Sequence, residues 1–265
     1  MRYFLLLVAL SWSVVACPLC LQDGAPSLLD QIEEAEWVVI GKAGEFDTSA
    51  IEPVRVIKGE GSPPPINLMV PHTMKIELQR KPNQKLLCLF APQDGRSLWT
   101  LHSTADPAFA DYVTQLTEDA ENLQASPRKR RQFFVEHARS PHPKVRRAAL
   151  KGLAGLPYEE IRQVRGEFTR AELIAGIEKA SKIRGLYILL LAQLDETHKI
   201  QNLALFGNKV LNEGTADPNL ASWIAGWIEF DMEKALGFLR DSYFLSNSQT
   251  EAHEALLQAL SIQGN

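Results

Sequence analysis

The amino-acid sequence predicts an α+β protein of two domains, a small β domain followed by an all-α stack of helical pairs. Three observations carry this expectation. Between Glu36 and Leu101, five short apolar segments alternate with turn residues. After Asp106 no strand pattern recurs, and apolar residues return at the three-and-four spacing of helices. Ahead of both, residues 1–16 have the layout of an export leader, which leaves 17–105 for the β domain and 106–265 for the helical one.

The leader has three parts. Arg2 supplies a positive start, Tyr3 to Leu10 an apolar centre, and Val14-Val15-Ala16 the small residues that precede a cleavage point at Cys17. Its apolar run is short of the roughly 20 residues a transmembrane helix needs, and no later stretch is long and uniformly apolar. Val-Val-Ala-Cys also resembles a bacterial lipobox. That resemblance implies a diacylglycerol on the Cys17 thiol and membrane anchoring through the acyl chains. Ordinary leader cleavage cuts the same bond. The chain holds three cysteines, Cys17, Cys20 and Cys88. With Cys17 lipidated, Cys20 and Cys88 remain as a pair, and export permits a disulfide between them. Without lipidation, one thiol is left over or pairs with another chain.

Ser27 is placed to cap a helix in which Leu28, Leu29 and Ile32 share a face. Strands are expected over 36–42, 53–57, 66–70, 85–90 and 97–101, each rich in β-branched and aromatic residues. Lys58-Gly59-Glu60-Gly61, the Pro63–Pro65 run, Pro82-Asn83 and Asp94-Gly95 separate them. Asp106-Pro107, Ser126-Pro127, His142-Pro143 and Asp217-Pro218 read as helix starts, with proline at the first helical position. Further helices are expected near 169–179, 181–193, 196–212, 218–229, 231–243 and 248–262.

Two resemblances follow from these segments. His142 to Ala154 (HPKVRRAALKGLA) resembles the second helix of a HEAT-type repeat, which implies a solenoid of stacked helix pairs. A cysteine near the mature N-terminus, AEWVVIGKA, VRVIKG and then a cysteine-bearing apolar strand resemble netrin-like and metalloproteinase-inhibitor modules. The implication is an OB-type barrel pinned by a bond from Cys17 or Cys20 to Cys88. The chain has Cys-x-x-Cys where those modules have Cys-x-Cys, and it lacks their remaining cysteines. The likeness therefore speaks for fold and not for inhibition.

Apolar residues make up 45% of the chain and charged residues 23%, the composition of a folded globular protein. A net charge of −4 and an exported destination speak against nucleic acid as a partner. Cys17-Pro18-Leu19-Cys20 has thiol–disulfide exchange spacing but no preceding βαβ pattern. Met69, His72 and Met74 offer soft ligands from one short segment, which is thin for a copper site. His102, His137, His142, His198 and His253 form no metal or catalytic motif, and no phosphate-binding loop or nucleophile elbow is present. Trp223, Trp227 and Phe230 recur at helical spacing and read as a buried stripe.

The early helices are basic, with Arg128 and Arg131 in one and Arg146 and Arg147 in the next. These four are the candidate protein-binding residues. The sequence thus points to an exported, non-enzymatic, lipid-anchored interaction scaffold, periplasmic or membrane-bound, with no cofactor or metal and a protein or peptide as partner. The alternatives are a protease inhibitor acting through Cys17 and a thiol oxidoreductase using Cys17 and Cys20.

Overall fold

A computed structural model describes residues 17–21, 26–44, 50–179, 182–194, 199–212, 217–243 and 250–263. The expected leader and His198 lie outside them. The protein is α+β, with its strands in the first part of the chain and mostly helices after them.

Ser27 opens α1 (Leu28–Glu34) in a capping box. Its hydroxyl accepts from Asp30 N–H at 3.2 Å, and Asp30 returns the favour to Ser27 N–H at 2.8 Å. The far end is capped by a side chain from the sheet. Lys58 Nζ donates to the carbonyls of Ile32 and Glu33, at 2.8 and 3.0 Å, where a helix leaves its last acceptors unpaired.

Strands β1 (Trp37–Ala43), β2 (Ala50–Lys58), β3 (Ile66–Asn67), β4 (Lys85–Gln93) and β5 (Arg96–Ala105) form an antiparallel sheet of order β3-β2-β1-β4-β5. It curls into a nearly closed barrel. The β4–β5 hairpin turns at Asp94-Gly95, both with positive φ, the backbone that matches the right-handed twist of two strands. Two features depart from expectation. The third strand shrinks to two residues, and the segment after it forms α2 (His72–Arg80), which packs against β5.

Alternation divides the sheet into two faces. Val38, Ile40, Leu87 and Leu89 point one way and join a core shared with α1 and the later helices. Val39, Leu86 and Cys88 point the other way and meet Ile51, Ile66 and Val70, with Met74 and Leu78 of α2 packed against them.

The helical part starts at α3 (Pro107–Glu118), α4 (Ala120–Ala125), α5 (Pro127–Ala138) and α6 (Pro143–Ala154). Asp106, Ser126 and His142 cap α3, α5 and α6, each before a proline. Two of these caps are joined. Asp106 Oδ1 accepts from Phe109 N–H at 3.0 Å while its Oδ2 lies 2.8 Å from His142 Nε2. His142 Nδ1 accepts from Val145 N–H, so its proton sits on Nε2 and is given to Asp106. The start of α6 is thereby tied to the end of the barrel. Then come α7 (Tyr158–Arg162), α8 (Arg170–Lys179), α9 (Arg184–Ala192), α10 (Lys199–Asn212), α11 (Leu220–Phe230), α12 (Met232–Phe238), a single π turn over Leu239–Tyr243, and α13 (Thr250–Gln263).

Helices α5 and α6 pack as a pair, as do α8 and α9. Beyond them the packing centres on α11, which touches α9, α10, α12 and α13. This arrangement suits its sequence. Helix α11 is apolar all round, with Trp223, Ile224, Trp227 and Ile228 buried, and such a helix needs neighbours on every side. Asp217, expected to begin it, instead accepts from Asn219 N–H at 2.8 Å and from Trp223 Nε1 at 2.8 Å.

Candidate functional site

Two places hold the residues that the sequence marks for function: the cysteine hook at 17–21 and the basic face of α5 and α6. In the hook, Cys17 is bonded to Cys20, and Cys88 is a free, buried thiol. This corrects the expected Cys20–Cys88 bond, and strand alternation gives the reason. Cys20 lies in the large core, whereas Cys88 points from β4 to the opposite face of the sheet. Burial pushes the Cys88 thiol up to about 12, so it stays protonated and unreactive.

The hook is built into the helical part. Cys17 N–H donates to Leu156 O at 3.0 Å, and Ser222 Oγ donates to Leu19 O at 3.0 Å. The Leu19 carbonyl also lies against Gly185, at the start of α9, where any Cβ would collide with it. Cys17, Leu19, Cys20 and Leu21 are all buried.

This geometry bears on each chemistry proposed for Cys17. A sulfur in a disulfide has no valence left for a thioether, so the expected lipid at Cys17 and the observed bond exclude one another. Inhibition through Cys17 needs its amine and carbonyl free to chelate a metal. Here the nitrogen serves Leu156, and the carbonyl accepts from Cys20 N–H at 3.2 Å. Thiol exchange needs an accessible sulfur, and Cys17 and Cys20 are 2% and 0% exposed.

The basic face is more open. On α5 and at its C-cap, Arg128, Arg131, Gln132, Val135, Glu136 and Arg139 fall on one side at helical spacing. With Gln163, Val164 and Glu167 after α7 they line a groove of about 670 Å³. A second groove of about 610 Å³ adjoins it, walled by Arg146 and Arg147 of α6 and by Lys179 of α8. Its apolar lining includes Leu150, Phe168, Ile183 and Tyr187. Arg139 lines both grooves. Its guanidinium pairs with Glu167 at 3.0 Å and sits 6.0 Å from the Phe168 ring centroid.

The four predicted arginines are therefore brought to one surface but are not equivalent. Arg128 and Arg147 are exposed and have no partner among the described residues. Arg146 donates to Ser140 O at 3.1 Å. Arg131 is mostly buried, its Nη1 3.8 Å from Glu160, which also pairs with Arg130. Burying Glu160 requires such partners, so Arg130 and Arg131 serve the fold before they serve a ligand. Sequence reading missed Arg139, Phe168, Lys179 and Tyr187. The spacing of Arg139 from Arg128 and Arg131 was a usable signal. The other three lie on elements whose neighbours only tertiary packing reveals.

The remaining candidates disperse. Met69 and His72 are exposed, whereas Met74 packs beneath the sheet. Among the described residues no group of three or more His, Cys, Asp or Glu side chains gathers to hold a metal. Trp223 and Trp227 are buried in the core, as a stripe at helical spacing suggests, whereas Phe230 at its end is half-buried. No described helix is long and apolar enough to cross a membrane. Comparison of the chain with protein-family models, with curated proteins and with solved structures finds no significant match to any.

Proposed function

We propose that this protein is an exported, non-enzymatic interaction scaffold, in which an OB-like barrel carries a HEAT-like helical part whose basic face holds a protein or peptide. The observation that carries this reading is the pair of adjoining open grooves, lined by Arg128, Arg131, Arg146 and Arg147 and by apolar side chains between them. Such concave surfaces between successive helices are where helical repeats take polypeptides.

Export is supported by the leader-like residues 1–16 and by the Cys17–Cys20 bond, which an oxidising compartment sustains. The bond favours cleavage before Cys17 without acylation. Intact mass and a non-reduced peptide map of protein from its native host test this. The expected chain begins at Cys17 and carries the Cys17–Cys20 bond. A diacylglycerol on Cys17 would restore the membrane-anchored reading, and a retained leader with Cys17 and Cys20 reduced would remove export. The scaffold itself is tested with a photo-crosslinking residue at exposed Gln132, which lines the first groove. A protein adduct formed in the native host supports it, and an absence of adducts opposes it.

A further inference from the structure

We propose that the two grooves form one receptor for an extended acidic polypeptide segment, with its carboxylates along α5 and an apolar side chain seated between α6, α8 and α9. The proposal rests on the scaffold reading and names its partner.

Charge is the first argument. The chain has a net charge of −4, yet the grooves gather six cationic side chains against three carboxylates, Glu136, Glu167 and Glu172. Two of those carboxylates are already engaged. Glu167 holds Arg139, and Glu172 closes the capping box of α8 by accepting from Thr169 N–H at 2.7 Å. Arg128, Arg147 and Lys179 have no partner among the described residues. Such a concentration of unneutralised cations in an acidic molecule attracts anions and steers their approach.

The apolar floor is the second argument. Leu150, Phe168, Ile183 and Tyr187 face an open volume of about 610 Å³. A phosphate-rich ligand such as a lipid headgroup would use the arginines and leave this floor uncovered. A polypeptide uses both, because an anchoring apolar side chain in a desolvated pocket provides binding energy while charged neighbours provide register. Continuity is the third argument. Arg139 lines both grooves, so one extended segment can run from one into the other.

The test uses the intact protein with its Cys17–Cys20 bond and a fluorescein-labelled peptide in which a run of aspartates precedes Leu-Trp. Anisotropy should show saturable binding that weakens as salt rises. Arg128→Glu with Arg147→Glu should weaken it by about tenfold or more. Ala175→Trp fills the apolar groove without altering a charge and should weaken it by about tenfold. A control pair, Arg80→Glu with Arg96→Glu, makes the same charge change at exposed sites outside the grooves and should leave affinity unchanged. Circular dichroism verifies that each variant is folded.

Four results would each overturn the proposal: no binding, equal weakening by the control pair, equal affinity for a peptide with lysines in place of the aspartates, or tighter binding to phosphatidylserine vesicles through the same arginines. A Gln132 protein adduct without acidic-peptide binding would leave the scaffold standing and sink this inference alone. Absence of both would sink the two together.

Discussion

On one face of the sheet, Val38, Ile40, Leu87 and Leu89 belong to a core that continues through α1, α3, α6 and α11. On the other, Val39, Ile51, Leu86 and Cys88 close a smaller core with Ile66 and Val70. The strands that build the two faces are the same, so adjacent residues differ only in the direction of their side chains. What differs is the company. The chain changes character at Asp106, from strands to helices, but packing does not stop there. The first face is part of the helical core, and only the second belongs to the barrel alone.

Leu86 and Leu87 sharpen this most, because both are fully buried and point to opposite faces. Truncation of either to alanine should cost ~2–5 kcal/mol. Leu87→Ala should lower one shared melting transition of strands and helices. Leu86→Ala should loosen the sheet and α2 ahead of the helices, seen as early hydrogen exchange confined to the first part of the chain. Separate strand and helix transitions in the Leu87 variant would break the comparison.

Acid provides the next effect. Burial and the Lys151 ammonium of α6 hold the His102 imidazole of β5 down at about 4. The folded state therefore keeps this group neutral where the unfolded chain, near 6.5, protonates it. Its contribution to stability is complete above about pH 6.5 and falls away toward pH 4, by ~3 kcal/mol at most. Denaturant midpoints measured across that range should slope downward with acid, and His102→Gln should flatten the slope. Asp106 and Glu77, whose hydrogen bonds hold them below the ordinary carboxylate range, extend the loss to lower pH.

The cysteines come third. Replacing Cys17 and Cys20 by serine removes a bond that closes a very short loop, for an expected cost of ~2 kcal/mol. Cys88 should resist a thiol reagent until the barrel unfolds, and fast labelling of the native protein would contradict its burial. The smallest effect is at the surface. Arg55 of β2 meets Asp111 of α3 at 3.3 Å, both largely exposed, and Arg55→Ala should change stability by less than ~1 kcal/mol.

Local chemistry was legible in the sequence. Ser27, Asp106, Ser126 and His142 cap helices as expected, because a cap depends on only a few neighbouring residues. The segments now forming β1, β4 and β5 were equally plain from their apolar runs. Helix α2 was hidden because no side chain caps it and none of its residues is fully buried, so it carries no strong periodicity. The cysteine pairing was hidden for another reason. Cys88 is separated from Cys20 by the thickness of the sheet, and strand phase within an assembled barrel cannot be read from a cysteine count. The candidate site was half legible. Arg128 and Arg147 are the open cations the sequence suggested, but the burial of Arg131 depends on Glu160, which comes from a different helix.

The hook at 17–21 also bears on the order of events in folding. Ser222, which binds the Leu19 carbonyl, lies 203 residues further along. A chain delivered from its N-terminus presents Cys17 and Cys20 long before Leu156, Gly185 or Ser222 exists to receive them. Contacts of such separation form late, since the intervening segment must first be ordered. Residues 17–21 should thus seat late in folding, once Leu156, Gly185 and Ser222 are in place to receive them.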